Sequence, residues 1–251
     1  MNRERRNEAL ERIKEAALSA FDGEVHSIVL KGSALTEDFV PGYSDLDVHI
    51  YVPPRFMLDD RAPLLELAIR FQREIGRLDP ERYGVSSFQV FFVSTERYPE
   101  DWQKPLKGTY EVIYGAPIDD APSMEDDLEK AHLHLGKHPA YVAYLIGKFA
   151  DKLDSSLPQM VRLAGAFLKG AIYSASTVAS ENPKIITGMS FPELLNLLRD
   201  SGVDTSSAVA FIQVIREWNS LSRDPESCRG AFRLAMEALQ SICRWYDSFN
   251  R

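Results

Sequence analysis

Residues 25–52, VHSIVLKGSALTEDFVPGYSDLDVHIYV, are the stretch on which the fold turns. Residues 25–30 are short, apolar and β-branched, the composition of a strand. That strand runs directly into Gly32–Ser33, and a turn-rich segment with Gly32, Pro41 and Gly42 carries the chain on to Tyr43. Leu46 to Val52 then reads as a second strand, closed by Pro53–Pro54. Side chains at i and i+2 of a strand share a face, with Cα atoms about 6.5–7 Å apart. Asp45 and Asp47 therefore present two carboxylates to one side, while Leu46 points the other way. Val48, Ile50 and Val52 keep the strand apolar, and unpaired carboxylates beside such a strand are costly to bury. A hard cation compensates: Mg²⁺ takes one or two carboxylates together with phosphate oxygens. A small-residue turn after a strand, as at Gly32–Ser33, lets backbone N–H groups come close to a phosphate. His49 shares the face of Asp47 and reads either as a group near the site or as an ordinary strand histidine.

Working outward, residues 3–21 place Ala9, Leu10, Ile13, Ala16, Ala17, Ala20 and Phe21 at helical spacing, with charge on the other face. Residues 60–78 repeat that pattern, and strands are predicted at 85–94 and 109–114. Beyond about residue 124 the periods are helical only: 125–136, 139–153, 158–180, 190–201, 205–222 and 226–249. Pro158 after Ser155–Ser156, the Ser190/Glu193 capping box and Asp224–Pro225 mark helix starts. Residues 116–123, with two prolines and two aspartates, read as a linker. The expected class is α+β: a mixed sheet flanked by helices over residues 1–118, then an all-helical bundle over 124–251.

The formal net charge of −8 argues against broad electrostatic binding of nucleic acid or an anionic membrane. A small polyanion such as a nucleoside triphosphate needs only a few local cations. The two cysteines, Cys228 and Cys243, show no metal or redox spacing and read as reduced, buried thiols. No apolar run reaches the ~18 residues of a membrane span. MNRERRNEALERIKEAAL lacks an apolar signal core, so a cytoplasmic location is expected.

The segment LKGSALTEDFVPGYSDLDVHIYV, residues 30–52, resembles the signature of the DNA polymerase β-type nucleotidyltransferase superfamily. By pattern it is most similar to the aminoglycoside nucleotidyltransferases and related antibiotic adenylyltransferases. The shared features are Gly–Ser, a spacer of about ten residues, then Asp-x-Asp. The resemblance implies transfer of a nucleoside monophosphate, ATP being the commonest donor, to a hydroxyl of a small acceptor with Mg²⁺ as cofactor. It implies that Asp45 and Asp47 hold the metal and that Gly32 and Ser33 hold the β- and γ-phosphates. Ser44, beside Asp45, and Lys148 and Lys169 of the helical half are further candidate nucleotide contacts. A homodimer is compatible with the reading, though not required by it.

One departure stands out. The family carries a third carboxylate on a later central strand, as metal ligand or as the base that deprotonates the acceptor. Here the matching position is Gln89, whose amide neither carries charge nor takes a proton at neutral pH. Three accounts compete: a base from elsewhere, with Glu96 or Glu111 nearest in sequence; a shifted register, in which the same-face neighbours Ser87 and Phe91 serve no better; or a protein that binds nucleotide and turns over slowly or not at all. General base catalysis contributes roughly 10²–10⁴-fold, so its loss need not abolish transfer.

Other features have bland and sharp readings. His134 and His138 are spaced i and i+4 as in a helical metal pair, but Gly136 and Pro139 argue against a continuous helix there. Lys148, Lys152, Arg162 and Lys169 read as solvated helix charges or as phosphate contacts. Trp102, Tyr110 and Tyr114 read as packing or as a base-stacking platform. The acidic run Asp119, Asp120, Glu125, Asp126 and Asp127 is a solvated loop or an attractor for a cationic acceptor. The arginine–histidine spacing of the helical ribonucleases that accompany some nucleotidyltransferases is missing from the second half of the sequence.

Overall fold

Among the residues described, four strands make one mixed sheet: β1 (Ser27–Lys31), β2 (Leu46–Val52), β3 (Phe88–Ser94) and β4 (Glu111–Gly115). The computed structural model describes residues 2–60, 62–98, 109–117, 124–186 and 188–249. The strand order is β3-β2-β1-β4. β1 pairs antiparallel with both β2 and β4, whereas β2 and β3 run parallel. A parallel pair needs a crossover, and here it contains α2 (Leu65–Ile75). This helix begins later than the sequence pattern predicts because Pro63 restrains the residue before it to extended backbone; Met57 and Pro63 instead form an isolated bridge.

One face of the sheet is packed by α1 (Arg3–Ala20) and α2. Ala9, Leu10, Ile13 and Ala17 of α1 and Leu67 and Phe71 of α2 bury with Ile28, Leu30, Leu46, Val48, Ile50 and Val52. Small residues along α1 allow close approach to the sheet. The alternate residues of the strands face the other way, where Val29, Tyr51 and Val93 form a second cluster with Tyr98 and Tyr110. β2 is thus covered on both sides and almost wholly buried, Asp47 being its one half-buried residue.

The chain divides into two compact units, Met1–Pro122 and Ser123–Arg251. Among its described residues the second unit is helical: α3 (Met124–Ala150), α4 (Leu157–Ser180), α5 (Pro183–Ile186), α6 (Phe191–Asp200), α7 (Ser206–Ile215), α8 (Trp218–Leu221) and α9 (Pro225–Phe249). α4 is its centre, packed by α3, α6 and α9, and buries Val161, Ala164, Leu168, Ala171, Ile172 and Ala175. Glu193 accepts the Ser190 backbone N–H at 2.7 Å, half of the capping box, and Asp224 accepts that of Ser227 at 2.9 Å. Both thiols are free and raised in pKa by burial, Cys243 to about 11. Among the described residues no helix is long and apolar enough to cross a membrane.

Two helical expectations are corrected. Residues 205–222 form two helices, with the break at Glu217 (φ −93°, ψ 36°). The two helices expected over 125–136 and 139–153 are one, Met124–Ala150, which runs through Gly136 and Pro139. Ala131, Leu135, His138, Val142 and Leu145 fall on one buried stripe on both sides of the proline. Continuous burial along that stripe outweighs the one backbone hydrogen bond that Pro139 removes.

Candidate functional site

The loop between β1 and β2 delivers the acidic pair, and its closure is built from its own sequence. The Ser44 backbone N–H donates to the Val40 carbonyl at 2.9 Å, and the Val40 N–H donates to the Ser44 hydroxyl at 3.0 Å. Ser44 is buried, so its side chain pins the loop; this assigns it a structural part where the sequence offered a nucleotide contact. Gly42 donates to the Gly84 carbonyl at 3.0 Å, and Ser86 to that of Ser44 at the same distance. The start of β2 is thereby tied to the start of β3.

Asp45 lies one residue ahead of β2, opposite Ser87. The Ser87 hydroxyl donates to Asp45 Oδ1 at 2.5 Å, and the Ser86 hydroxyl reaches the same oxygen at 2.7 Å. Two donors on one oxygen engage both its lone pairs and fix the carboxylate. Ser86 carries no place in the sequence motif, and Ser87 enters it only as a neighbour of Gln89. Their signal is positional: Ser87 stands two residues before Gln89 on the same face.

Asp47 sits inside β2, half-buried, with Lys31 as its partner on β1 and Gln89 as its partner on β3. Its carboxylate lies directly over Gly32. A Cβ at Gly32 would fall 2.2 Å from Asp47 Oδ2, and Gly32 has φ +76°, in the left-handed region. Both facts require glycine there. Ser33 follows in a short 3₁₀ turn, Gly32–Leu35, where its carbonyl accepts the Thr36 N–H at 3.1 Å. The pairs Gly32–Ser33 and Asp45/Asp47, 12 to 15 residues apart in sequence, are therefore gathered at one end of β1 and β2.

Two carboxylates two residues apart at the start of β2, one of them against a backbone stripped of its Cβ, are donors of the type a hard divalent cation takes. Among the described residues no group of three or more His, Cys, Asp or Glu side chains gathers as a metal site. Gln89 is where the register predicts it, adjacent to Asp47 and exposed.

Neither substitute carboxylate is near. Glu111 pairs in register with Leu30, on the helix-covered face, where it forms an ion pair with Arg6 of α1 at 3.0 Å. It is on the wrong side of the sheet. The β1–β4 pairing slips between Ile28 and Val29, an irregularity that fixes which face Glu111 occupies. Glu96 lies past the far end of β3. From Gln89 to Ser94 alone the strand advances about 16 Å at ~3.3 Å per residue, and the Glu96 N–H is held there by Ser94 Oγ at 3.2 Å.

His49 faces the same side as Asp47, edge-on to Phe91 with ring centroids 5.2 Å apart. Burial, and secondarily the charge of Lys31, lower its pKa to about 3, so the imidazole is neutral at physiological pH. Tyr110 packs into the cluster of Val29, Tyr51 and Val93. Tyr114 pairs with Ile28 and packs on the core under α1, which removes it as a stacking platform. Trp102, Asp119 and Asp120 lie outside the described residues, as do the side chains of Glu125 and Asp126.

Lys148 and Lys169 belong to the second unit. Lys148 is exposed on α3, its ammonium 5.8 Å from the Tyr144 ring centroid, and Lys169 is half-buried on α4. Lys152 pairs with Asp151 at 3.1 Å. The histidine pair on α3 is a packing feature. His138 is buried and its Nδ1–H donates to the His134 carbonyl at 2.8 Å. His134 Nδ1 bonds Ser174 Oγ at 2.8 Å, and its Cε1 edge lies 3.0 Å from where a Cβ of Gly170 would stand. That edge is directed at the α4 backbone, and both histidines sit inside the continuous helix that Gly136 and Pro139 argued against.

Compared with models of protein families and with curated proteins, the chain gives no match.

Proposed function

We propose that the end of β1 and β2 binds a nucleoside triphosphate with Mg²⁺, and that the protein transfers a nucleoside monophosphate, AMP by preference, to a hydroxyl of a small acceptor. The observation that carries the reading is the seat of Asp47 against Gly32: the carboxylate occupies the volume where any other residue would place a Cβ. Asp45 and Asp47 would hold the metal; Gly32 and Ser33 would meet the phosphates. Bound Mg²⁺ supplies charge neutralisation at the phosphates, and phosphoryl-type transfer depends mainly on positioning and such neutralisation. The seating of Asp45 by Ser86 and Ser87 serves that positioning. An acceptor with cationic groups, such as an aminoglycoside-like antibiotic, suits the net charge of −8. A cytoplasmic site of action, where NTP and Mg²⁺ are abundant, fits the same reading.

A second reading, nucleotide binding with impaired transfer, is favoured by one feature: Gln89 adjoins Asp47, while Glu96 and Glu111 lie at the far end and on the opposite face of the sheet. Labelled NTP with Mg²⁺ and a panel of hydroxylated acceptors separates the two. Pyrophosphate release in the wild type that vanishes in Asp45→Ala/Asp47→Ala supports transfer. Saturable binding without turnover selects the second reading. A wild type that fails to bind NTP–Mg²⁺ rules out both.

A further inference from the structure

A row of three side chains crosses the sheet at the proposed site. Lys31 on β1, Asp47 on β2 and Gln89 on β3 are direct register partners, so all three lie on one face. Strands in a sheet are about 4.8 Å apart, which sets Lys31 and Gln89 on either side of Asp47 at that spacing. Ile28 and Leu30 face the α1 side, so Val29 and Lys31 face the other, toward His49.

Among the described residues, Asp45 and this row bring together two carboxylates, one ammonium and one neutral amide. An amide oxygen is a weaker cation ligand than a carboxylate, and an ammonium beside Asp47 repels a second divalent ion at close range. The same ammonium is well suited to a phosphate oxygen, as a compact point charge on a flexible stem.

We propose that the site takes a single divalent cation, and that Lys31 binds the nucleotide phosphates on the side of Asp47 away from Gln89, as a specificity-determining contact. This inference rests on the proposed nucleotide site. It assigns to Lys31, a residue outside the Gly–Ser and Asp-x-Asp motif, a part of the neutralisation that a second metal ion would otherwise give.

The experiment uses the full chain, Mn²⁺ and the non-hydrolysable analogue α,β-methylene-ATP. Electron paramagnetic resonance counts bound Mn²⁺ and calorimetry gives nucleotide affinity. One Mn²⁺ per chain is expected with the analogue present. Lys31→Met is expected to weaken the analogue at least tenfold with the Mn²⁺ count unchanged, and Lys31→Arg to restore most of the loss. Two Mn²⁺ per chain in the wild type, or full affinity in Lys31→Met, overturns the inference and leaves the nucleotide site standing. No binding of the analogue with Mn²⁺ by the wild type overturns this inference together with the site on which it rests. The Mn²⁺ count in the wild type decides the stoichiometry even if the Lys31 variants fold poorly.

Discussion

At the residue scale Gly32 is tightly constrained. Its φ of +76° costs any other residue backbone strain, on the order of 1–3 kcal/mol, and the new Cβ would stand 2.2 Å from Asp47 Oδ2. Asp47 cannot yield easily, because it is held inside β2 between Lys31 and Gln89. Gly32→Ala is therefore expected to lower unfolding stability by about 1–3 kcal/mol in urea denaturation and to abolish NTP–Mg²⁺ binding by calorimetry. Gly23→Ala gives the contrast: φ is also positive there, at +81°, but no atom lies within 4 Å of the Cβ. It should lose stability and keep binding. Equal effects of the two variants on nucleotide affinity would mean that the Gly32–Asp47 contact does not matter to the site.

Among the elements, α3 carries a consequence of pH. His138 is 1% exposed, and its pKa lies below 6.5 because burial opposes the charged form, against the pull of the His134 and Phe167 carbonyls. Above pH 6.5 the ring is neutral in both folded and unfolded chains. Below it the unfolded chain takes up a proton that the folded chain refuses, so stability falls as pH drops from about 6.5 toward the folded pKa. The slope from this one group reaches at most ~1.4 kcal/mol per pH unit. His138→Phe should lessen the wild-type decline in urea midpoint between pH 7.5 and 5.5, leaving the part that buried His49 contributes in the same direction; an unchanged decline would assign it wholly to other groups. The elements were legible to different degrees. β2 was readable to the residue, because alternation and Pro53 bound it on both physical grounds. α3 was not, since Pro139 is a local signal of a break and the buried stripe that overrides it depends on partners supplied by α4 and α9. The Asp pair was legible for the same reason as β2: its period of two is local. The exclusion of Glu96 and Glu111 was not, because distance along the sequence says nothing about strand direction or about a slip in pairing between Ile28 and Val29. Ser86 and Ser87 became visible as partners of Asp45 only through the parallel register of β3.

For the whole molecule, two units with separate buried residues divide the proposed labour unevenly. The acidic pair, the glycine and their supports all belong to Met1–Pro122. A ligand that binds only the folded chain adds about 2.7 kcal/mol at a hundred times its Kd. Hydrogen exchange with NTP–Mg²⁺ at that level should therefore slow globally protected amides of β1 and β2 by up to about a hundredfold, and Asp45→Ala/Asp47→Ala should show no such protection. Slowing of the same size in the double variant would place the nucleotide somewhere else on the molecule. The parallel pairing of β2 with β3 also has a temporal side. The hydroxyls that seat Asp45 come 41 and 42 residues after it in the chain. At a synthesis rate of about 5–20 residues per second, the acidic motif leaves the ribosome about 2–8 s before the residues that hold it in place. For that interval the nascent protein carries the motif as an unassembled string, and the proposed competence to bind a nucleotide can arrive only with the third strand.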